Sequence, residues 1–160
     1  MRQPTDNCLL CQENPATQPN SHIIPKFFGQ GLFYSTKPRH AIVRYKTGEI
    51  GKAQDTVKEN YLFCPNCEKG FNVYETYCAL RLERFNNPRF SNQFEIHSIG
   101  DFKYFECKSL DIKIFNLFIY SIVWRISISE NYAFRGFKLA FPEEEKLRLL
   151  LKNYTQSNQE

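Results

Sequence analysis

Cys8-Leu9-Leu10-Cys11 and Cys64-Pro65-Asn66-Cys67 decide how the chain is read, with Ser21-His22-Ile23-Ile24-Pro25 between them and Glu68 directly after. Two C-x-x-C pairs supply four thiolates to one tetrahedral zinc, each pair gripping through a tight turn. Cys8, Cys11, Cys64 and Cys67 are therefore expected to hold one structural Zn²⁺ and to close the long loop between them. Four thiolates leave no open coordination position for water, so any catalysis belongs to other groups. Unliganded thiols or a redox pair are the competing reading of this spacing. His22 is the candidate for chemistry. A lone histidine among apolar residues is more often structural, but this one lies between two zinc knuckles, enters an Ile-Ile-Pro turn, and is matched by Asn60 and Glu68 flanking the second knuckle.

The 160 residues suffice for one domain with a real core, or for one domain and a small zinc-stapled lobe. Hydrophobic residues at 42% and aromatics at 16% mark a folded chain and exclude a disordered one. A net charge of +4 is compatible with a polyanionic partner without demanding one. Four of the six cysteines sit in the paired knuckles, and only Cys78 and Cys107 stand alone. Residues 1–6 are polar and carry no apolar signal segment. Reduced, metal-binding thiols in the cytoplasm are thus expected in place of a disulfide framework. The apolar run 114–124 is about half of the roughly 20 residues a membrane span needs, so it reads as a buried helix and no membrane partner is expected.

Outward from the knuckles, Pro25 stops a short extended piece at His22-Ile23-Ile24. Residues 26–40 read as loop with a possible helical turn, and Ala41-Ile42-Val43-Arg44-Tyr45 with the turn Lys46-Thr47-Gly48-Glu49 as a hairpin arm. After Cys64, the spacing of Phe71, Tyr74, Cys78, Leu82 and Phe85 predicts a helix that Asn86-Asn87-Pro88 ends. Glu68 and Glu75 fall seven residues apart, near one face of it. Residues 89–108 alternate like a β-hairpin around Gly100-Asp101. Asp111 is expected to cap a helix through Ile126, although Ile126-Ser127-Ile128-Ser129 alternates like a strand. A last helix follows Pro142, with Leu147, Leu150, Leu151 and Tyr154 as its buried stripe and a frayed tail from Thr155. Cys78 falls on an apolar stripe; His40 and His97 have no motif around them. Arg125, at the edge of an apolar run, calls for a buried carboxylate partner more than for phosphate.

Cys-x-x-Cys, His-Ile-x-Pro, an Asn before the second Cys-x-x-Cys, and a potential metal ligand directly after it resemble the zinc-stapled HNH nucleases, which have the ββα-metal (His-Me finger) fold. The resemblance covers roughly residues 8–78. Ser-His-Ile-Ile-Pro-Lys-Phe, Leu62-Phe63-Cys64-x-x-Cys67-Glu68, Tyr74-Glu75, Ser121-Ile122-Val123-Trp124-Arg125 and Glu144-Glu145-Lys146-Leu147-Arg148 also resemble a group of largely uncharacterised bacterial HNH-like proteins.

The resemblance implies a zinc-stapled, treble-clef-like ββα-metal lobe over 1–88; with the β-hairpin plus two helices read from the pattern of 89–160, expected to pack on it as one unit, the fold class is α+β. It implies His22 as general base, Asn60 near the middle Asn position and Glu68 in place of the final His, with a catalytic Mg²⁺ or Mn²⁺. Ser21 stands where a metal-binding Asp or His is expected, so Glu75 or Asp55 would have to supply the missing charge. Lys26, Arg39, Arg44 and Lys46 are the candidates for contact with nucleic acid, DNA ahead of RNA, or for an ordinary solvated surface. Some HNH-type proteins act in anti-phage defence beside a partner protein, which the C-terminal half would meet here. The rival reading is a degenerate zinc module that binds nucleic acid or protein without cutting.

Overall fold

A computed structural model describes residues 2–29, 40–44, 48–82 and 93–157, with backbone alone at 43–44 and 156–157. Among these residues the architecture is mixed α/β: three α-helices and three two-stranded antiparallel sheets. Strand β1 (Ser21–His22) pairs with β4 (Lys58–Glu59), placing Ser21 opposite Glu59 and His22 opposite Lys58. Between them, β2 (Ala41–Arg44) and β3 (Ile50–Ala53) form the expected hairpin arm. Helix α1 spans Pro65–Leu82, and the hairpin of β5 (Phe94–Ile99) and β6 (Phe102–Cys107) precedes α2 (Ile112–Ile128) and α3 (Phe141–Ser157).

Each helix begins where its chemistry permits. Pro65 occupies the first position of α1, where a missing N–H costs nothing, and Glu68 puts an acid into the first turn. The Asp111 carboxylate caps α2 by accepting from the N–H groups of Lys113 and Ile114 at 2.8 and 3.2 Å. Alternation at 126–129 does not break that helix, which runs to Ile128. Its serines meet polar partners instead of a neighbouring strand: Ser127 donates to Glu144 and Ser129 to Glu59.

Cys67, Phe71, Tyr74 and Cys78 turn one face of α1 inward, and Leu117, Phe118 and Trp124 do the same for α2. Phe63 and Phe71 meet edge-on at 5.0 Å between ring centres, and Trp124 lies 5.9 Å from Phe63. A single apolar cluster thus draws Leu10, Ile23 and Leu62 from the N-terminal part together with Leu117, Trp124 and Leu151 from the C-terminal part.

The stripe of α3 differs from the expected one. Leu151 is fully buried, whereas Tyr154 is 43% exposed and Thr155 only 2% exposed. The expected frayed tail is helical to Ser157. The cause is close helix packing. A Cβ added at Gly70 of α1 would stand 2.7 Å from the Thr155 methyl, so a small residue on α1 admits a short one on α3 and Tyr154 turns outward. Phe85 and Asn86-Asn87-Pro88 lie outside the described residues. The β5–β6 hairpin keeps much apolar surface in solvent, Phe102 being 81% exposed.

Candidate metal centre and histidine site

The Sγ atoms of Cys8, Cys11, Cys64 and Cys67 are buried and lie within 4.8 Å of one another. Cys11 and Cys64 are 3.9 Å apart, close to the edge of about 3.8 Å for a sulfur tetrahedron with Zn–S bonds of about 2.3 Å. Backbone pairing brings the knuckles together: the Leu9 N–H donates to the Leu62 carbonyl at 2.9 Å, and the Gln18 N–H to that of Phe63 at 3.1 Å. Gln12 closes the first turn by donating to the Cys8 carbonyl at 2.9 Å, with its own backbone left-handed at φ 62°. A thiol hydrogen bond from Cys67 pulls Cys8 down to about 5 against the opposing effect of burial, and the same bond pushes Cys67 far up. A cation that replaces the remaining protons would relieve this imbalance. The donor set fits a structural zinc.

The C-terminal helix holds the first knuckle from outside. Arg148 donates to the Leu10 carbonyl at 2.7 Å while its fork grips Glu145 by two 2.7 Å bonds. Lys152 reaches the Cys11 carbonyl at 3.3 Å and pairs with Glu13 at 2.6 Å.

His22 emerges from β1 with its side chain 24% exposed. Its Nε2 is buried, has no hydrogen-bond partner, and stands 3.6 Å from Oδ1 of Asp55. Burial first, and then the Lys58 ammonium, hold the imidazole below its ordinary value despite Asp55. It is therefore a neutral proton acceptor at pH 7. Asp55 is engaged by Lys58 at 2.6 Å and by the Thr56 N–H at 2.8 Å. Partial burial would raise its carboxyl, but these bonds outweigh burial and keep it ionised.

Ser21, fully buried, donates from Oγ to Oε2 of Glu68 at 3.0 Å. The two positions that the resemblance assigns to metal are thus in direct contact. Glu68 is pushed above the usual carboxylate range, mainly by burial, with Ser21 and Arg125 opposing. Glu75 pairs with Nη1 of Arg125 at 2.6 Å. The same nitrogen donates to the His22 carbonyl at 2.7 Å, and Ser121 takes the rest of the guanidinium through its carbonyl and Oγ, each at 3.2 Å. Arg125 thus has the carboxylate partner its setting called for. Its tie to His22 spans 103 positions and had no local signal in the sequence.

Asn60 takes another part. Its Oδ1 accepts the Asn20 N–H at 2.8 Å, securing the left-handed turn (φ 56°) that leads into β1. Through that turn it helps to position the His22 strand. Lys26 is exposed in a short 3₁₀ turn, Lys26–Gly29. Arg44 is described by its backbone only, and Arg39 and Lys46 lie outside the described residues.

The carboxylates do not assemble a second metal centre. Among the described residues, His22, Asp55, Glu68 and Glu75 supply no three ligand atoms within 4.8 Å of one another, and each carboxylate already has a partner. A hollow of about 650 Å³ beside Asp55 is lined mainly by apolar side chains, among them Ile24, Phe28, Ile119 and Phe134. The other convergent donor group, Glu95, His97 and Glu106, is built into the exposed hairpin, where His97 lies 3.0 Å from Glu106 and Lys108 pairs with Glu95. No helix among the described residues is long and apolar enough to cross a membrane. Comparison with models of known families, with curated proteins and with solved structures gave no match.

Proposed function

We propose that the chain is a zinc-stapled HNH-like lobe of the ββα-metal type that hydrolyses phosphodiester bonds, DNA ahead of RNA. The observation that carries this reading is His22: a neutral imidazole whose side chain is partly exposed while its Nε2 is buried and unpartnered, on a strand paired with β4 just ahead of the second knuckle. In this reading the His22 imidazole, its buried Nε2 uncovered when substrate binds, takes a proton from water as the water oxygen attacks phosphorus and the bridging P–O bond breaks. Ser21 and Asn60 keep β1 in place, and Lys26 meets the backbone of the substrate. The β1–β4 pair followed by α1 supplies the strand–strand–helix order that such a lobe requires. The Mg²⁺ or Mn²⁺ that the resemblance implies does not fit the donors as arranged, because each acid is already partnered and a guanidinium stands among them. No step is routed through it. The wider role, anti-phage defence beside a protein partner of the C-terminal half, rests on the resemblance alone.

A second reading, a non-cutting module that binds nucleic acid or protein, draws on these same partnered carboxylates and on the apolar hollow beside Asp55. Plasmid cleavage separates the two. Wild type, His22→Ala and Glu68→Ala are compared with Mg²⁺, with Mn²⁺ and with EDTA. Cutting lost in His22→Ala supports the nuclease. Equal cutting by all three proteins, or none by wild type in any condition, leaves the binding module.

A further inference from the structure

We infer that Arg125 is the resident cation of the His22 pocket, occupying by charge and by contact the role that a second divalent ion would otherwise take. The inference deepens the nuclease-lobe reading and takes from it only the identity of the pocket. Glu68 and Glu75 lie two turns apart along one face of α1, an arrangement that puts two carboxylates into a largely buried space. Such a pair is tolerated only with compensating positive charge. Arg125 provides it from the far side. The residue is 2% exposed and pairs with Glu75 at 2.6 Å. Three further donors go to the His22 and Ser121 carbonyls and the Ser121 hydroxyl, and the guanidinium carbon lies 5.2 Å from the centre of the Phe71 ring.

An arginine cannot lose its proton in a protein, so this positive charge is permanent. A divalent ion placed between Glu68 and Glu75 would meet a fixed guanidinium and would have to displace the bond to Glu75. Ser21 completes the picture. A neutral hydroxyl at the expected metal position adds no further negative charge, and it serves Glu68 as a hydrogen-bond donor. The pocket thus sets one arginine from another part of the chain against its two carboxylates.

Manganese uptake by the zinc-loaded protein tests this, read from the loss of the free Mn²⁺ signal in electron paramagnetic resonance. Wild type is expected to take up none that depends on Glu68 or Glu75. Arg125→Gln is expected to gain one bound Mn²⁺, which disappears when Glu75→Gln is added. Arg125→Lys, which keeps the charge, is expected to bind none. An Arg125→Gln protein that is folded and zinc-loaded yet takes up no Mn²⁺ overturns the inference. Uptake by wild type that Glu75→Gln or Glu68→Gln abolishes overturns it too, and this arm remains decisive if Arg125→Gln does not fold. The nuclease reading fails separately. Absence of cutting together with absence of Mn²⁺ uptake removes the nuclease and leaves the resident arginine, whereas cutting by wild type that requires Mg²⁺ does the reverse.

Discussion

His22, Asp55 and Lys58 form a short electrostatic chain in which each neighbour moves the next. Burial and the Lys58 ammonium depress the imidazole, and Asp55 works against them. An NMR titration of His22 should therefore show a midpoint below the ordinary value of about 6.5. Asp55→Asn should lower it further, and Lys58→Met should raise it. The sign carries into stability. With the folded value below the unfolded one, the unfolded chain holds more protons through this window. The histidine's contribution is fully present above about pH 6.5 and is lost as pH falls through the folded value. Glu68 behaves oppositely, because burial raises its folded value. Its favourable contribution is present below the ordinary carboxylate range and is lost as pH rises through the folded value. Glu68→Gln, which can still accept from Ser21, should thus stabilise the protein more at pH 8 than at pH 5 in thermal unfolding. A Glu68→Gln protein with the wild-type pH profile would refute the assignment.

At the level of elements, contacts between helices set what each one tolerates. Gly70 has the Thr155 methyl 2.7 Å from where a Cβ would be, with the Thr155 Cβ at 2.8 Å. Both partners are on packed helices, so Gly70→Ala should cost about 1–3 kcal/mol despite the better helix propensity of alanine, measured by urea unfolding. The same substitution at the exposed, unobstructed Gly136 should not show that clash penalty. Trp124→Ala removes a ring wedged between α1 and the Phe63 turn, and should cost about 3–5 kcal/mol. These costs arise from fit, which periodicity does not encode. The stripe of α1 was legible because Phe71, Tyr74 and Cys78 repeat at helical spacing. The burial of Thr155 and the exposure of Tyr154 were not, because they depend on a glycine of another helix. Strand β4 was equally silent: two polar residues, Lys58 and Glu59, are strand only because their backbone pairs with β1.

Over the whole molecule, the four-cysteine cluster, once loaded with zinc, should bear on stability more than any single contact. Structural zinc sites of this kind contribute on the order of 10 kcal/mol, comparable to the entire stability of an ordinary domain. Metal analysis should find one zinc per chain, and Cys64→Ser should lose it. Chelation under reducing conditions should lower the melting temperature sharply and free the His22 strand, visible as loss of the shifted imidazole titration. Cys78→Ser should retain the metal, since that thiol is buried in the apolar face of α1. The ligand set was legible because zinc chemistry is written in local spacing, two residues between each pair. The completed site was not, because Arg125 reaches His22 across 103 positions and Arg148 reaches Leu10 across 138.

That long span orders events during synthesis. A nascent chain that has emerged only through α1 already carries the four cysteines, His22, Glu68 and Glu75, but its arginine is still unmade. Until translation reaches α2, Glu75 lacks its counter-charge and the His22 carbonyl its donor. The pocket is therefore complete only once α2 has been made, and a chain cut short before Arg125 has the histidine but lacks the guanidinium that donates to its carbonyl.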